Sequence, residues 1–165
     1  VCPTGVVGPY DYEPSFFGKG MIQSIKSKLK TTIPGSYDYV DVRDVVNGMV
    51  NAMSKGVKKQ IYILGGEKIG MKAYIELLQR FTGIQSRVKI LSYKTGKLLG
   101  TILNLFSDSS SITPYSVDTL MSNSNVSYEK AKRELGYKAR RLKESLYDQY
   151  KWFVNNGYLR FKSRK

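Results

Sequence analysis

The chain reads as an α/β fold, mostly helical with a few short strands, and three observations predict it. Short runs rich in Val, Ile and Tyr, such as Tyr37 to Val42 and Gln60 to Leu64, lie between Gly, Pro and Asp residues and have the length of strands. Longer stretches repeat apolar residues every three or four positions, the period of a helix with one buried side. The two kinds of stretch alternate as far as Leu91, and only helical patterns follow.

The opening residues, Val1-Cys2-Pro3-Thr4-Gly5-Val6-Val7-Gly8-Pro9, read as the end of a buried strand emptying into a tight loop. No turn chemistry or initiator Met precedes Val1, so we expect a portion of a longer protein, beginning where a strand leaves a sheet. Tyr10 to Pro14 is polar, and Ser15 can cap a helix carrying Phe17, Met21, Ile22, Ile25 and Leu29 at helical spacing. Thr31 to Ser36, with Pro34-Gly35, stops it. The strand Tyr37 to Val42 sets Tyr37, Tyr39 and Asp41 on one face and Asp38, Val40 and Val42 on the other. Asp44 then fits the N-cap of a helix whose Val45, Val46, Met49, Val50 and Met53 would be buried, with Gly56 near its end.

Gln60 to Leu64 is a third strand, and Gly65 to Gly70 joins it to a helix from Met71 to Phe81 that would bury Tyr74, Leu77, Leu78 and Phe81. Arg87 to Leu91 can form another strand. Leu98 to Phe106 and Pro114 to Met121 read as helices around a Ser-rich loop at 107–113. Ser127 caps a helix that Gly136 ends, with Ala131 and Leu135 turned inward. A last helix from Leu142 to Asn156 carries the stripe Leu142, Leu146, Tyr150 and Phe153 beside Trp152, and the basic tail 158–165 is expected to fray.

Composition narrows the function classes. At 165 residues and 41% hydrophobic, the chain can bury one core, so one domain over 1–165 is expected. A single Cys2 excludes an internal disulfide, and the absence of His excludes His-dependent triads and the usual zinc ligand sets. No apolar run reaches the roughly 20 residues that cross a bilayer, so a cytoplasmic protein without a membrane partner is expected. The net charge of +14 permits a polyanionic partner, and much of it is local: 129–165 hold 12 basic and 4 acidic residues. No aromatic-studded strand pair or recognition helix accompanies it, so a solvated basic face is expected rather than nucleic-acid binding.

Three patterns suggest chemistry and each has a plainer reading. Asp38, Asp41 and Asp44 look like a metal cluster, but at least one caps a helix, and no metal site is expected. Gly65 and Gly70 have the spacing of a phosphate-binding loop after a strand, yet Met71-Lys72-Ala73 stands where Lys and then Ser or Thr should follow. Four Tyr-x-x-x-Lys strings occur, Tyr93/Lys97, Tyr128/Lys132, Tyr147/Lys151 and Tyr158/Lys162, in a chain rich in both residues.

The order of motifs is itself informative. Pro3 to Pro9, Tyr39-Val40-Asp41-Val42-Arg43-Asp44-Val45, Ile61-Tyr62-Ile63-Leu64-Gly65-Gly66, Ser127 to Tyr137 and the Trp-bearing helix come in sequence. In this the chain resembles the C-terminal half of extended short-chain dehydrogenases/reductases, the NAD-dependent epimerase/dehydratase family, and especially its dihydroflavonol-reductase-like branch. The resemblance implies a Rossmann-type sheet whose sixth strand ends near Cys2 and whose seventh, Ile61 to Leu64, lies beside it, with a mostly helical substrate lobe between and after them. It implies that Pro3, Thr4, Gly5 and Val6 pass the nicotinamide end of NAD or NADP, where Pro and Gly allow close backbone approach. Tyr10, Phe16 and Phe17 would be substrate-wall residues, equally compatible with core positions.

The family's glycine-rich fingerprint and catalytic Ser, Tyr and Lys would precede Val1, so no catalytic residue is carried over and the four Tyr-x-x-x-Lys strings are decoys. Sugar-nucleotide members often have an Arg just ahead of the strand matched by Tyr39 to Val42, where it grips a pyrophosphate. Ser36, Tyr37 and Asp38 stand there instead, which favours a reductase or dehydrogenase of a small or uncharged carbonyl or alcohol. Arg43 keeps a sugar-nucleotide epimerase or dehydratase open, and a non-catalytic cofactor-sensing or nucleic-acid-binding relative is the rival from another class. The expected partners are a small-molecule substrate, the N-terminal part of the same protein and a second copy of the chain, and the fragment alone should be inactive.

Overall fold

The computed structural model describes residues 1–27, 31–83, 86–96, 118, 120, 122 and 125–159. Leu29, the helix at 98–106, the loop at 107–113, most of 114–121, Lys97 and the tail from 160 lie outside the described residues. The chain divides into two compact units, one of Val1–Lys26, Asp38–Glu67 and Val126–Lys165, the other of Ser27–Tyr37 and Lys68–Asn125.

In the first unit β1 (Cys2–Pro3) and β5 (Ile63–Leu64) pair in parallel, Cys2 opposite Ile63 and Pro3 opposite Leu64. The expected neighbours are therefore adjacent, although Gln60 to Tyr62 contribute a hydrogen bond, Cys2 N–H to the Tyr62 carbonyl at 2.8 Å, rather than ladder residues. β2 (Gly5–Val7) pairs in parallel with β4 (Ser36–Asp41), setting Gly5 against Tyr39 and Val7 against Asp41. With β6 (Glu67–Gly70) these make a sheet ordered β2-β4-β6. β2 and β6 are absent from the sequence reading because three or four residues are too few to display an alternating pattern. β6 also ends the resemblance to a phosphate-binding loop, since a strand fills the interval between the two glycines.

The helices follow their signals with one large exception. α1 (Phe16–Lys26) starts where Ser15 predicts: its hydroxyl accepts from Gly18 N–H at 3.1 Å, and Asp11 holds Ser15 in turn. α2 (Val42–Lys55) begins earlier than expected, capped by Asp41 rather than Asp44, because the chain turns helical as soon as β4 ends. Its inward face is also different. Asp44, Val45 and Gly48 are buried, whereas Val46, Met49, Val50 and Met53 are exposed, Met53 to 89%. A Cβ at Gly48 would lie 2.8 Å from a Leu64 methyl, so it is the glycine that lets α2 settle against the sheet.

The later helices of this unit are α4 (Glu129–Leu135) and α5 (Leu142–Asn155), which leaves α3 for the second unit. α4 ends as expected at Gly136 in the left-handed conformation (φ 66°); at its start Tyr128 holds the cap position, and the Ser127 hydroxyl accepts from Glu129 N–H. Val40, Val45, Tyr62, Leu64, Ala131, Leu135 and Tyr137 form one core cluster. In the second unit β3 (Thr31–Thr32) pairs in parallel with β7 (Lys89–Ile90), within the expected strand 87–91. α3 (Met71–Thr82) buries Tyr74 and Leu78 as expected, but Ile75 and Gln79 in place of Leu77 and Phe81. Gln79 is accommodated by two hydrogen bonds with Ser86. Among the described residues no helix is long and apolar enough to cross a membrane.

An ionic network fixes the start of α2. Asp41 takes the Arg43 backbone N–H and both sides of its guanidinium fork, and Arg43 reaches on to Asp148 of α5 at 2.7 Å. Asp44 accepts the Arg140 backbone N–H at 2.8 Å and its guanidinium at 2.7 Å, joining α2 to the connection before α5. Burial pushes the Asp41 carboxyl up, but hydrogen bonds from Arg43 and Ser145 and the charge of Arg43 more than offset it, leaving Asp41 below its ordinary 3.8.

Two predictions follow from this packing. A Cβ at Gly66 would sit 2.1 Å from the Tyr39 carbonyl oxygen, whereas one at Gly20, inside α1, meets nothing within 4 Å. Gly66→Ala should lower stability by about 1–3 kcal/mol and Gly20→Ala raise it by about 0.5–1 kcal/mol in urea unfolding; equal effects would contradict the close approach at Gly66. Because Asp41 is depressed when folded, its stabilisation is complete above its unfolded value and fades as pH falls through the lower folded one. Asp41→Asn should cost about 3 kcal/mol at neutral pH, and its loss of stability below pH 4 should be smaller than wild type; parallel pH curves would count against the network.

Candidate functional site

In parallel α/β sheets ligands collect at the carboxyl ends of strands, and here β1 and β5 end side by side. Pro3 is exposed and Thr4 half-buried, while Gly5 and Val6 pass directly into β2 against Tyr39 and Val40. Pro3 thus ends one parallel pairing, Gly5 and Val6 begin the next, and Thr4 is the single residue between them. Thr4 N–H is used by the Leu64 carbonyl at 3.3 Å, so the turn continues the pairing beyond the strand.

Asp38 braces this end of the sheet. Its Oδ1 accepts from the Thr4 hydroxyl at 2.6 Å and from Gly66 N–H at 2.9 Å. The neighbouring Gly65 carbonyl accepts from the buried Tyr137 hydroxyl at 2.9 Å, and Tyr128 packs edge-on against that ring. Burial, and then the nearby Asp44 carboxylate, push the Tyr137 phenol well above its ordinary value, so it stays a protonated donor. In the sequence Asp38 stood out only as part of an apparent metal cluster and Tyr137 not as a site residue; the run Ser127 to Tyr137 signals a helix and its cap, not where its last ring points.

The aromatic candidates separate. Phe17 stands edge-on to Tyr39 with ring centres 5.2 Å apart, and Phe16 edge-on to Phe17 at 5.4 Å, so these rings lead from the surface to the strand that faces Gly5. Phe16 is 55% exposed. Tyr10, 64% exposed with φ 71°, lies outside this series of rings. Arg43 is committed to Asp41 and Asp148, and a phosphate there would have to displace a carboxylate. The three aspartates are engaged otherwise: Asp38 accepts from Thr4 and Gly66, Asp41 pairs with Arg43, Asp44 pairs with Arg140, which also lies 3.7 Å from Asp41, and among the described residues no three His, Cys, Asp or Glu side chains are grouped to hold a metal ion.

The tyrosines of the Tyr-x-x-x-Lys strings have other contacts. Tyr128 packs on Tyr137, with Lys132 paired to Glu129; Tyr147 carries Lys151 over its ring; Tyr93 donates to Asp118; and Tyr158 donates to the Tyr12 carbonyl.

Comparison with known proteins extends this picture. No protein-family model matches the chain. A dihydroflavonol-4-reductase-like protein of Synechocystis is 26% identical over 97% of this chain and 49% of its own length. Sterol demethylase protein B of Methylococcus capsulatus is 32% identical over 83 residues, 50% of this chain and 25% of its own. A nucleoside-diphosphate-sugar epimerase from Pseudomonas aeruginosa superposes with a TM-score of 0.77 at 21% identity, over 96% of this chain and 48% of that one. The chain spans about half the length of such proteins, and structural neighbours include ones solved with NAD or NADPH. The homologues and structural neighbours of this chain are NAD-dependent epimerase/dehydratase-family proteins, extended short-chain dehydrogenases/reductases, and it shares their Rossmann-type α/β fold over about half of their length.

Proposed function

We propose that this chain is the substrate-binding part, and one wall of the nicotinamide pocket, of an NAD(P)-dependent oxidoreductase that moves hydride to or from a carbonyl or alcohol carbon of a small molecule. The carrying observation is the parallel β1–β5 pair, whose adjoining carboxyl ends are braced by Asp38, in a chain whose relatives are of this family and about twice as long. Pro3, Thr4, Gly5 and Val6 would lie along the nicotinamide; Phe16 and Phe17 would line the substrate side, with Tyr10 at its margin. NAD or NADP would supply the hydride, and the proton donor would come from an N-terminal part of the protein.

A carbonyl reductase is favoured over a sugar-nucleotide enzyme because Arg43, the basic residue that the sequence offers for a pyrophosphate, is already paired with two carboxylates. The second reading, an epimerase or dehydratase, is supported by structural neighbours named as UDP-sugar epimerases and a dTDP-glucose dehydratase. Titration of the intact protein should decide. Binding of NADH or NADPH, with no competition or heat protection from UDP-glucose or UDP-glucuronic acid, fits the reductase; tight UDP-sugar binding that Arg43→Ala weakens tenfold or more would transfer the assignment.

The same reading accounts for the surface of the isolated chain. Among the described residues β1 and β5 have one partner each, and Val1, Ile61 and Ile63 in or next to them are exposed, as are Val46, Met49, Val50 and Met53 of α2. Such edges recruit other chains. The 165-residue chain alone should show no NAD(P)H turnover and should self-associate in sedimentation, more so as concentration rises; a monomer at every concentration would argue that this edge needs no cover.

A further inference from the structure

We infer that Asp38 is the positioning residue of the nicotinamide wall: its carboxylate locks the turn after β1 to the turn after β5, and so sets where Thr4 and Gly5 stand. The inference rests on the cofactor reading above and assigns Asp38 a task within it. A single oxygen carries the lock, accepting at 2.6 Å from the Thr4 hydroxyl and at 2.9 Å from Gly66 N–H. The first distance is that of a charge-assisted bond to an ionised carboxylate. The backbone alone holds this place loosely, since the Thr4 N–H to Leu64 carbonyl bond is 3.3 Å against 2.8 Å for Cys2 N–H to Tyr62.

The surroundings make the anchor rigid. Asp38 immediately precedes Tyr39, the strand partner of Gly5, so the carboxylate is fixed to the strand on which the turn lands. Gly66 has no room for a side chain against the Tyr39 carbonyl, and Tyr137 holds Gly65 from beneath. Moving the Thr4 hydroxyl should shift the nicotinamide wall without reaching a site for the adenosine half of the cofactor.

That separation gives the test, made on the intact protein carrying this sequence. NADH, NADPH and ADP-ribose, which lacks the nicotinamide, are titrated into wild type, Asp38→Asn, Thr4→Val and Thr4→Ser. Loss of one charge-assisted hydrogen bond should weaken reduced-cofactor binding about tenfold in Asp38→Asn and Thr4→Val. Thr4→Ser, which keeps the hydroxyl, should bind as wild type, and ADP-ribose affinity should be the same in all four. Equal losses for ADP-ribose and reduced cofactor, or no loss for either, would overturn the assignment. Should Asp38→Asn not fold, Thr4→Val, close in shape to Thr, decides alone. A wild type that binds neither reduced cofactor nor ADP-ribose removes the cofactor reading itself, and this inference with it; a wild type that binds while both variants are unchanged removes only the role of Asp38.

Discussion

The pairing of Cys2-Pro3 with Ile63-Leu64 is the constraint on which the first unit depends. Two residues on each side form the whole ladder, and they come from distant parts of the sequence. So short a contact cannot by itself offset the entropy of closing the chain between them. The closure rests on what lies under and beside it: Leu64 and Tyr62 in the core with Leu135 and Tyr137, Gly48 admitting α2, and Asp38 tying the two strand ends. Leu64 is sealed in that core, whereas Ile61 and Ile63, and Cys2 and Pro3 of the opposite strand, remain exposed.

The carboxylates show how this architecture connects to chemistry. Asp38, Asp41 and Asp44 recur every three residues and look like one cluster in the sequence, but the chain passes from strand to helix between them. Asp38 consequently serves Thr4 and Gly66, whereas Asp41 binds Arg43, Asp44 binds Arg140, and Arg140 lies within 3.7 Å of Asp41 as well. Two of the three hold late helices against the start of α2, and buried charges tolerate that only with their partners in place. The third serves the sheet's carboxyl end. The same division leaves Arg43 paired with Asp41 and Asp148.

Much of the fold was legible in the sequence, and what escaped has a physical cause. Helical periodicity or capping located α1 to α5, while the helical residues 93–96 were not read as helix, and Ser15 and Gly136 marked ends where the structure has them. The family resemblance, carried by Pro3 to Pro9 and Ile61 to Gly66, put the right strands side by side. Periodicity failed for the inner face of α2, where it favoured Val46, Met49, Val50 and Met53, because a glycine that permits close packing scores as nothing while exposed valines score as core. It also missed β2 and β6, whose pairing is a property of distant partners rather than of their own few residues. Of the candidate site, Pro3 to Val6 were proposed through the family resemblance and Phe16 and Phe17 as aromatic residues following them, while the contacts of Asp38 and Tyr137 emerge only once strands and helices are assembled around them.

The central claim is that Val1 to Thr4 is the margin of a dinucleotide-holding parallel sheet lying against Ile61 to Leu64. Nuclear magnetic resonance of the chain tests it most directly, through amide exchange at Cys2 and nuclear Overhauser contacts between the Cys2 and Ile63 backbones. The account gives a slowly exchanging Cys2 amide, held by the Tyr62 carbonyl, with contacts in parallel register. A freely exchanging Cys2 with no contact to Ile63 would contradict it.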